Sequence, residues 1–216
     1  MNLDNLKRNP LFQSIKEDQL VEVIDCLSGY FKKYQAGELI FGIGEKNYSL
    51  GIIQKGKIEI SKDDFLGNRF LLTVLEEGEL FAETFVCAGI EEIPVNVIAK
   101  ETVEILFLDY QKIIGGQSKH CQFHEQLISN MIQILAKKNL HLNERINVIS
   151  KRSIRQKIIA YLTSIQRGEE SSIELLLSRQ ELADFLCVDR SAMTTELYKM
   201  KEEGIIDFSK NKFSFK

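Results

Sequence analysis

The sequence has no apolar run approaching the roughly 18 residues that a membrane-spanning helix needs. Its opening stretch, Met1-Asn2-Leu3-Asp4-Asn5-Leu6-Lys7-Arg8, has no apolar segment of signal-peptide type. Together these absences lead us to expect a soluble, cytoplasmic chain without a membrane partner. The four cysteines, Cys26, Cys87, Cys121 and Cys187, are scattered and form no CxxC pair. Disulfide frameworks and zinc or iron–sulfur sites draw on clustered thiolates, so reduced and mostly buried thiols are expected. No GxGxxG, GxSxG, HExxH or P-loop occurs, and no Ser/His/Asp set can be assembled, which argues against an enzyme. Internal repeats and low-complexity tracts are absent as well.

What is present is ordinary globular material. Apolar residues make up 44% and charged residues 27%, a balance that excludes disorder, and 216 residues are enough for two cores. Charge is unevenly spread. Residues 151–216 hold 12 Lys/Arg against 10 Asp/Glu, whereas the rest hold 16 against 21. A mildly basic C-terminal third suits a phosphate-backbone partner, although so small an excess says little alone.

Along the chain the texture changes three times. Residues 3–27 carry apolar side chains at helical intervals, with Pro10 dividing two short helices. From Tyr30 onward, short segments (Glu38–Phe41, Leu50–Gln54, Lys57–Ser61, Phe70–Val74, Val95–Ala99, Thr102–Leu108) alternate with glycine-bearing turns such as Leu66-Gly67-Asn68. Of the 13 glycines, 11 lie between Gly29 and Gly116, where those turns fall, and the spacing predicts an antiparallel barrel or sandwich. Residues 120–149 then lack Gly and Pro. In them Ile128, Ile132, Leu135, Asn139, Leu142, Ile146 and Ile149 follow the a/d spacing of a heptad seam. Leu127, Met131 and Ile134 form an adjacent stripe. Two stripes predict a helix that covers the β domain with one and pairs with a second copy through the other, with Asn139 at an a position setting register. A further helix over residues 151–166 and a polar loop, Gln166–Ser172, lead into the last segment.

Ser178 and Glu181 form a capping box that opens a helix burying Leu182, Phe185 and Leu186. Asp189 is the N-cap of a second helix, with Met193, Leu197 and Met200 facing inward. This is helix-turn-helix spacing. Beyond it, Ile205–Phe208 and Lys212–Phe215 flank Ser209-Lys210-Asn211 as a β-hairpin wing with Lys210 and Lys212 at its tip. The outward face of the second helix carries Arg190, Ser191, Thr194, Thr195 and Tyr198, and an arginine there can donate two hydrogen bonds to guanine. A winged-helix module that works through protein contacts rather than DNA is the alternative these elements allow.

From Leu177-Ser178-Arg179-Gln180-Glu181-Leu182-Ala183-Asp184 through Glu203-Gly204-Ile205-Ile206, the chain resembles the helix-turn-helix of CRP/FNR-type transcription regulators, and the resemblance runs over essentially its whole length. It implies an α+β chain: an N-terminal antiparallel β jelly roll of cyclic-nucleotide-binding type over 1–119, a dimerisation helix over 120–149, and a winged helix-turn-helix over 150–216. The implied partners are a second copy and double-stranded DNA carrying an inverted-repeat operator, with RNA polymerase a candidate further partner. By resemblance, Arg179 and Gln180 stand at the phosphates, beside Ser178 in the same DNA-binding set, and Arg190, Ser191, Thr194 and Thr195 face the bases. Ser191 stands where many members carry a glutamate, and Thr195 replaces the second arginine of cAMP-responsive members, so a different operator is implied.

Gly44-Glu45-Lys46 through Gly56 resembles the entry to the family's cyclic-nucleotide-binding roll, and Gly78-Glu79-Leu80-Phe81-Ala82-Glu83 resembles the start of its phosphate-binding cassette. In nucleotide-binding members the glutamate matching Glu83 holds the ribose, and an Arg-Ser or Arg-Thr pair clamps the cyclic phosphate. Here that pair falls on Ile93-Pro94, after Glu91 and Glu92. Neither side chain can donate to a phosphate, so cAMP is not the expected effector. The expectation is an unidentified, largely apolar small molecule beside Leu80, Phe81, Ala82, Glu83, Phe85, Val86 and Ile93, with Leu142 of the long helix. The iron–sulfur members use an N-terminal cysteine cluster, and Cys26 alone does not supply one. His120 and His124 with Cys121 nearby could seed a metal site, or simply be solvated at a helix start. No certain cofactor follows.

Overall fold

The computed structural model describes residues 3–63, 69–115, 123–166, 172–175 and 177–216. They form two compact units, Met1–Ala136 and Lys137–Lys216, and the division falls inside one long helix. Leu66-Gly67-Asn68, His120, Cys121 and most of the Gln166–Ser172 loop lie outside the described residues.

The first unit opens with helix α1 (Leu3–Arg8), two 3₁₀ turns (Pro10–Phe12 and Glu17–Gln19) and helix α2 (Leu20–Cys26). Pro10 sits in the first turn of its element, where its missing N–H goes unneeded, and the Asn9 side chain caps that turn by accepting from the Leu11 amide at 2.9 Å. Eight strands follow: β1 (Tyr30–Tyr34), β2 (Leu39–Phe41), β3 (Ser49–Lys55), β4 (Ile58–Asp63), β5 (Arg69–Leu75), β6 (Leu80–Phe81), β7 (Asn96–Ala99) and β8 (Val103–Asp109). A short helix α3 (Glu83–Cys87) lies between β6 and β7, and α4 (Tyr110–Ile114) follows β8. The strands pair antiparallel into two four-stranded sheets, β1-β8-β3-β6 and β2-β7-β4-β5, which is jelly-roll architecture. Sequence reasoning missed β1 and β6: β6 is only two residues long, and Lys32-Lys33 hides the pattern in β1.

The first sheet is apolar on both faces. On β8, Ile105 and Phe107 join Ile53, Phe81, Val97 and Ala99 between the sheets. Leu106 and Leu108 point the other way, to Leu20, Val23, Leu27, Leu127 and Met131 of the helices. A strand covered on both sides reads as a continuous apolar run, and β8 does so.

The rest of the chain consists of α5 (His124–Ile149), α6 (Ile154–Ile165), β9 (Ile173–Glu174), α7 (Arg179–Leu186), α8 (Arg190–Glu202), β10 (Ile206–Ser209) and β11 (Lys212–Phe215), the last strands ordered β10-β11-β9. Leu127, Met131 and Ile134 of α5 are buried in the first unit, as their stripe predicts, and Val148 is buried in the second. Asn130, which the stripe analysis left out, is buried and donates from Nδ2 to the carbonyls of Leu11 and Gln13, both at 2.8 Å. The second unit closes over Ile158, Leu162, Leu182, Leu186, Met193, Leu197, Met200 and Phe213. Among the described residues, no helix is long and apolar enough to cross a membrane.

The expected mostly buried thiols need correction. Cys26 and Cys87 are half-buried and Cys187 is exposed. Cys187 is exposed because it forms the left-handed turn after α7, a place fixed by backbone geometry rather than by packing.

Candidate functional site

The helix-turn-helix is built as its sequence predicts. The Ser178 hydroxyl accepts from the Glu181 amide at 3.2 Å, and the Glu181 carboxylate accepts from the Ser178 amide at 2.7 Å, closing the capping box. Helix α7 buries Leu182, Ala183 and Leu186 and ends at Cys187, whose φ of 52° places it in the left-handed region. The Cys187 and Val188 amides turn back to the Asp184 and Ala183 carbonyls at 3.1 and 3.0 Å. Two residues later Asp189 caps α8 by accepting from the Ala192 amide at 2.9 Å. Met193, Leu197 and Met200 hold α8 to the core.

That anchoring turns Arg190, Ser191, Thr195 and Tyr198 to solvent, with Thr194 half-buried at their edge. The Thr194 and Thr195 hydroxyls donate back to the carbonyls of Arg190 and Ser191 at 2.8 and 3.0 Å, and the Ser191 hydroxyl donates to Asp189. The carboxylates around Arg190 in sequence are engaged elsewhere: Glu181 in its capping box, Asp184 accepting from Gln180 at 2.9 Å, Asp189 at its cap and Glu196 accepting from Arg155 at 2.6 Å. Lys210 and Lys212 are exposed in the wing, and Lys212 lies 3.8 Å from Glu174. Lys210 stands in the wing turn with φ of 51°.

Other cations in the unit serve the fold, and sequence reasoning missed them. Arg155 of α6 donates to Glu196 at 2.6 Å and to both carboxylate oxygens of Glu203 at 2.6 and 2.9 Å, bracing α8 from behind. Lys157 donates to the Leu186 carbonyl at the end of α7, 2.9 Å away, where a cation also favours the helix dipole. These partners lie 29 to 48 residues apart, beyond any local pattern. Strand β9 also escaped notice, because two residues carry no period. Arg179, one of the expected phosphate contacts, lies over the rings of Phe208 and Phe213 and donates to the Lys210 carbonyl at 2.8 Å.

In the roll, Phe81, Ala82 and Ile93 are buried in one core with Tyr34 and Phe107, and Phe85 packs against it. Leu80, expected beside them, packs into the other cluster with Leu50 and Leu106, because adjacent strand residues face opposite sides of a sheet. Val86 is buried in α3. Glu83 is buried behind Ala82, which adopts a left-handed φ of 65°, and it accepts from the Thr84 hydroxyl at 3.1 Å. Ile93 thus places an apolar side chain in the core. Leu142 belongs to the second unit and is exposed on α5. Nδ1 of His124 lies 3.1 Å from the Ile113 carbonyl. Among the described residues, no group of three or more potential metal ligands gathers.

Residues 31–115 match the family model of the cyclic nucleotide-binding domain, and residues 156–215 match that of the Crp-like helix-turn-helix domain. The cyclic AMP receptor protein of Thermus thermophilus is 23% identical over 206 residues, which is 93% of this chain and 89% of that protein. Human cGMP-dependent protein kinase 2 is 26% identical over 131 residues, covering 58% of this chain and 17% of the kinase. The structure of CprK complexed with OCPA has the same fold, with a TM-score of 0.63 at 16% identity over 90% of this chain and 91% of that one.

Four carboxyls of the second unit are held below the usual carboxylate range. The Ser178 amide and hydroxyl do this to Glu181, the Ser191 hydroxyl and then the Ala192 amide to Asp189, the Arg155 guanidinium to Glu203, and the Lys201 ammonium to Asp207. A lowered folded value contributes stability that is present above the unfolded range, near pH 4, and is lost as pH falls through the folded value. The melting temperature should therefore drop as pH falls below about 4. Asp189→Asn keeps a cap acceptor but removes one titrating group, so it should flatten that decline in a calorimetric pH series. An unchanged pH slope would remove Asp189 from this account.

Proposed function

We propose, starting from the chain's membership of the CRP/FNR-type regulators, which join a cyclic nucleotide-binding domain to a Crp-like helix-turn-helix, that it binds an inverted-repeat operator as a homodimer and answers to a small effector other than cAMP. The observation that carries this reading is the division of α8: Met193, Leu197 and Met200 are buried, while Arg190, Ser191 and Thr195 face solvent from its N-terminal turns and Tyr198 one turn further on. Those turns are the part of a recognition helix that reaches base edges in a major groove. We read the likeness to the kinase, confined to 17% of its length, as one of domain rather than of catalysis.

Dimerisation is supported by the outer stripe of α5. Ile128, Ile132, Leu142 and Ile146 are 37%, 61%, 55% and 57% exposed, too much contiguous apolar surface to leave in water. Asn139 lies exposed on the same side and accepts from Asn143 at 2.8 Å, and Ile149 is half-buried. Leu135 packs against the core of its own unit, so it is the weakest member of the proposed seam. The expected regulator is a dimer near twice 24.8 kDa. Ile132→Glu should shift sedimentation toward a monomer, since it would leave a charge unpaired in the seam. A wild-type monomer at micromolar concentration would refute the pairing.

The effector reading is supported by Ile93 and Pro94, which leave a cyclic phosphate without its guanidinium clamp, and by the apolar neighbours Phe81 and Phe85 of Glu83. Calorimetric titration with millimolar cAMP or cGMP should give no saturable heat. A micromolar dissociation constant would overturn this part.

Arg190 provides the test of DNA reading. The recognition helices of a twofold dimer enter successive major grooves roughly 34 Å apart, which requires an inverted repeat. Arg190→Ala should cost about 1–3 kcal/mol per half-site and relax preference at one symmetric position. Lys210→Ala should weaken all sequences alike, because a phosphate contact carries no base information. Selection of binding sites from random duplex DNA with each variant checks this, and an Arg190→Ala motif identical to wild type would leave Ser191, Thr194 and Thr195 as the readers.

A further inference from the structure

The wing strands are seated by buried Ile206 and Phe213, by the pairing of β11 with β9 and by the Lys201 ammonium donating to the Phe208 carbonyl at 3.1 Å. The wing turn is held by contacts of its own. Strand β10 pairs with β11 from Ile206↔Phe215 to Ser209↔Lys212, leaving Lys210-Asn211 as a two-residue turn. The Asn211 carbonyl accepts from the Leu175 amide at 2.8 Å, beside β9. The Lys210 carbonyl is taken by Arg179, the first residue of α7, 31 positions earlier. Both carbonyls of the turn are therefore engaged by segments outside the hairpin. The Arg179 guanidinium also stands 5.0 Å from the Phe208 ring centre and 4.7 Å from that of Phe213, two rings stacked 5.5 Å apart on the paired strands. Tyr198 of α8 meets the Phe208 ring edge-on at 5.4 Å, and Lys201 of α8 lies 5.2 Å from the same ring. Burial lowers the pKa of Arg179, in keeping with a guanidinium turned into the protein.

We propose that Arg179 is a positioning residue that locks the wing to the helix-turn-helix and thereby sets where Lys210 meets the phosphate backbone, instead of contacting a phosphate itself. The chemistry requires an arginine. Its planar face can lie over two rings while its edge donates to a carbonyl, and a lysine ammonium, a compact and strongly hydrated charge, cannot do both. The DNA arm of this inference rests on the reading of the unit as a DNA-binding module; the lock itself does not.

Two measurements on the full chain test it. Amide hydrogen exchange of Arg179→Gln and Arg179→Lys should be faster than wild type in residues 206–215, by about tenfold for loss of one hydrogen bond and weakening of two cation–π contacts. Exchange in α8 should be unchanged in both variants, which separates unlocking from unfolding, and the lysine variant keeps the charge and most of the stem. Protected wing amides in both variants would overturn the lock, and this readout needs no DNA. The second measurement is a double-mutant cycle on a duplex carrying the selected inverted repeat. Lys210→Ala should cost less affinity in the Arg179→Gln background than in wild type, because an unlocked wing no longer delivers Lys210. An equal penalty in both backgrounds would make Arg179 an independent phosphate contact and reject the proposal. If wild type binds no duplex, the function proposed above fails while the exchange result still decides the lock.

Discussion

Helix α5 has more apolar side chains than one face can hold, and much of the architecture follows from where each of them goes. At 3.6 residues per turn, Leu127, Met131 and Ile134 lie on one side and are buried under the first sheet and the N-terminal helices. Val148, further along, is buried in the other unit. Both cores therefore draw on the same continuous helix. Ile128, Ile132, Leu142 and Ile146 lie on the remaining side and stay exposed among the described residues. Asn130 secures the first of these arrangements, because its amide donates to two carbonyls of the segment between α1 and α2.

The first sheet shows the same economy in β form. It sits between the second sheet and the helices, so β3 and β8 must be apolar on both faces. The inner face is aromatic: Phe107 meets Tyr34, Phe41 and Phe81 at centroid separations of 5.7 to 6.4 Å, in the edge-to-face geometry that ring quadrupoles favour. Phe81 can approach that closely only because Gly51 opposite has no Cβ; one placed there would fall 2.3 Å from the ring. The side chains named as a candidate effector wall are in large part this core.

In the second unit, net charge is a poor guide to what faces a polyanion. Arg155 braces α8 through two glutamates, Lys157 caps α7, and Lys201 and Lys216 share Asp207. Arg179 lies against the wing rings. These cations hold α8 and the wing strands in place, while Arg190 and Lys210 remain exposed. A mildly basic segment thus spends part of its positive charge inside its own fold.

The sequence by itself determined whatever has a local cause. The capping box at Ser178 and Glu181, the Asp189 cap, the inward face of α8 and the glycine-marked turns were legible because hydrogen bonds over three residues and periods of two or 3.6 are written in adjacent positions. The stripe of Leu127, Met131 and Ile134 was legible for the same reason. Only the tertiary structure decided the assignments that depend on distant partners. It turned Leu80 away from Phe81 and packed Leu135 into its own unit. It also drew Arg179 to a wing turn 31 residues away and tied Arg155 to glutamates 41 and 48 residues away. An arginine's role follows from which acceptors and rings the folded chain brings within reach, and the order of residues does not state those distances.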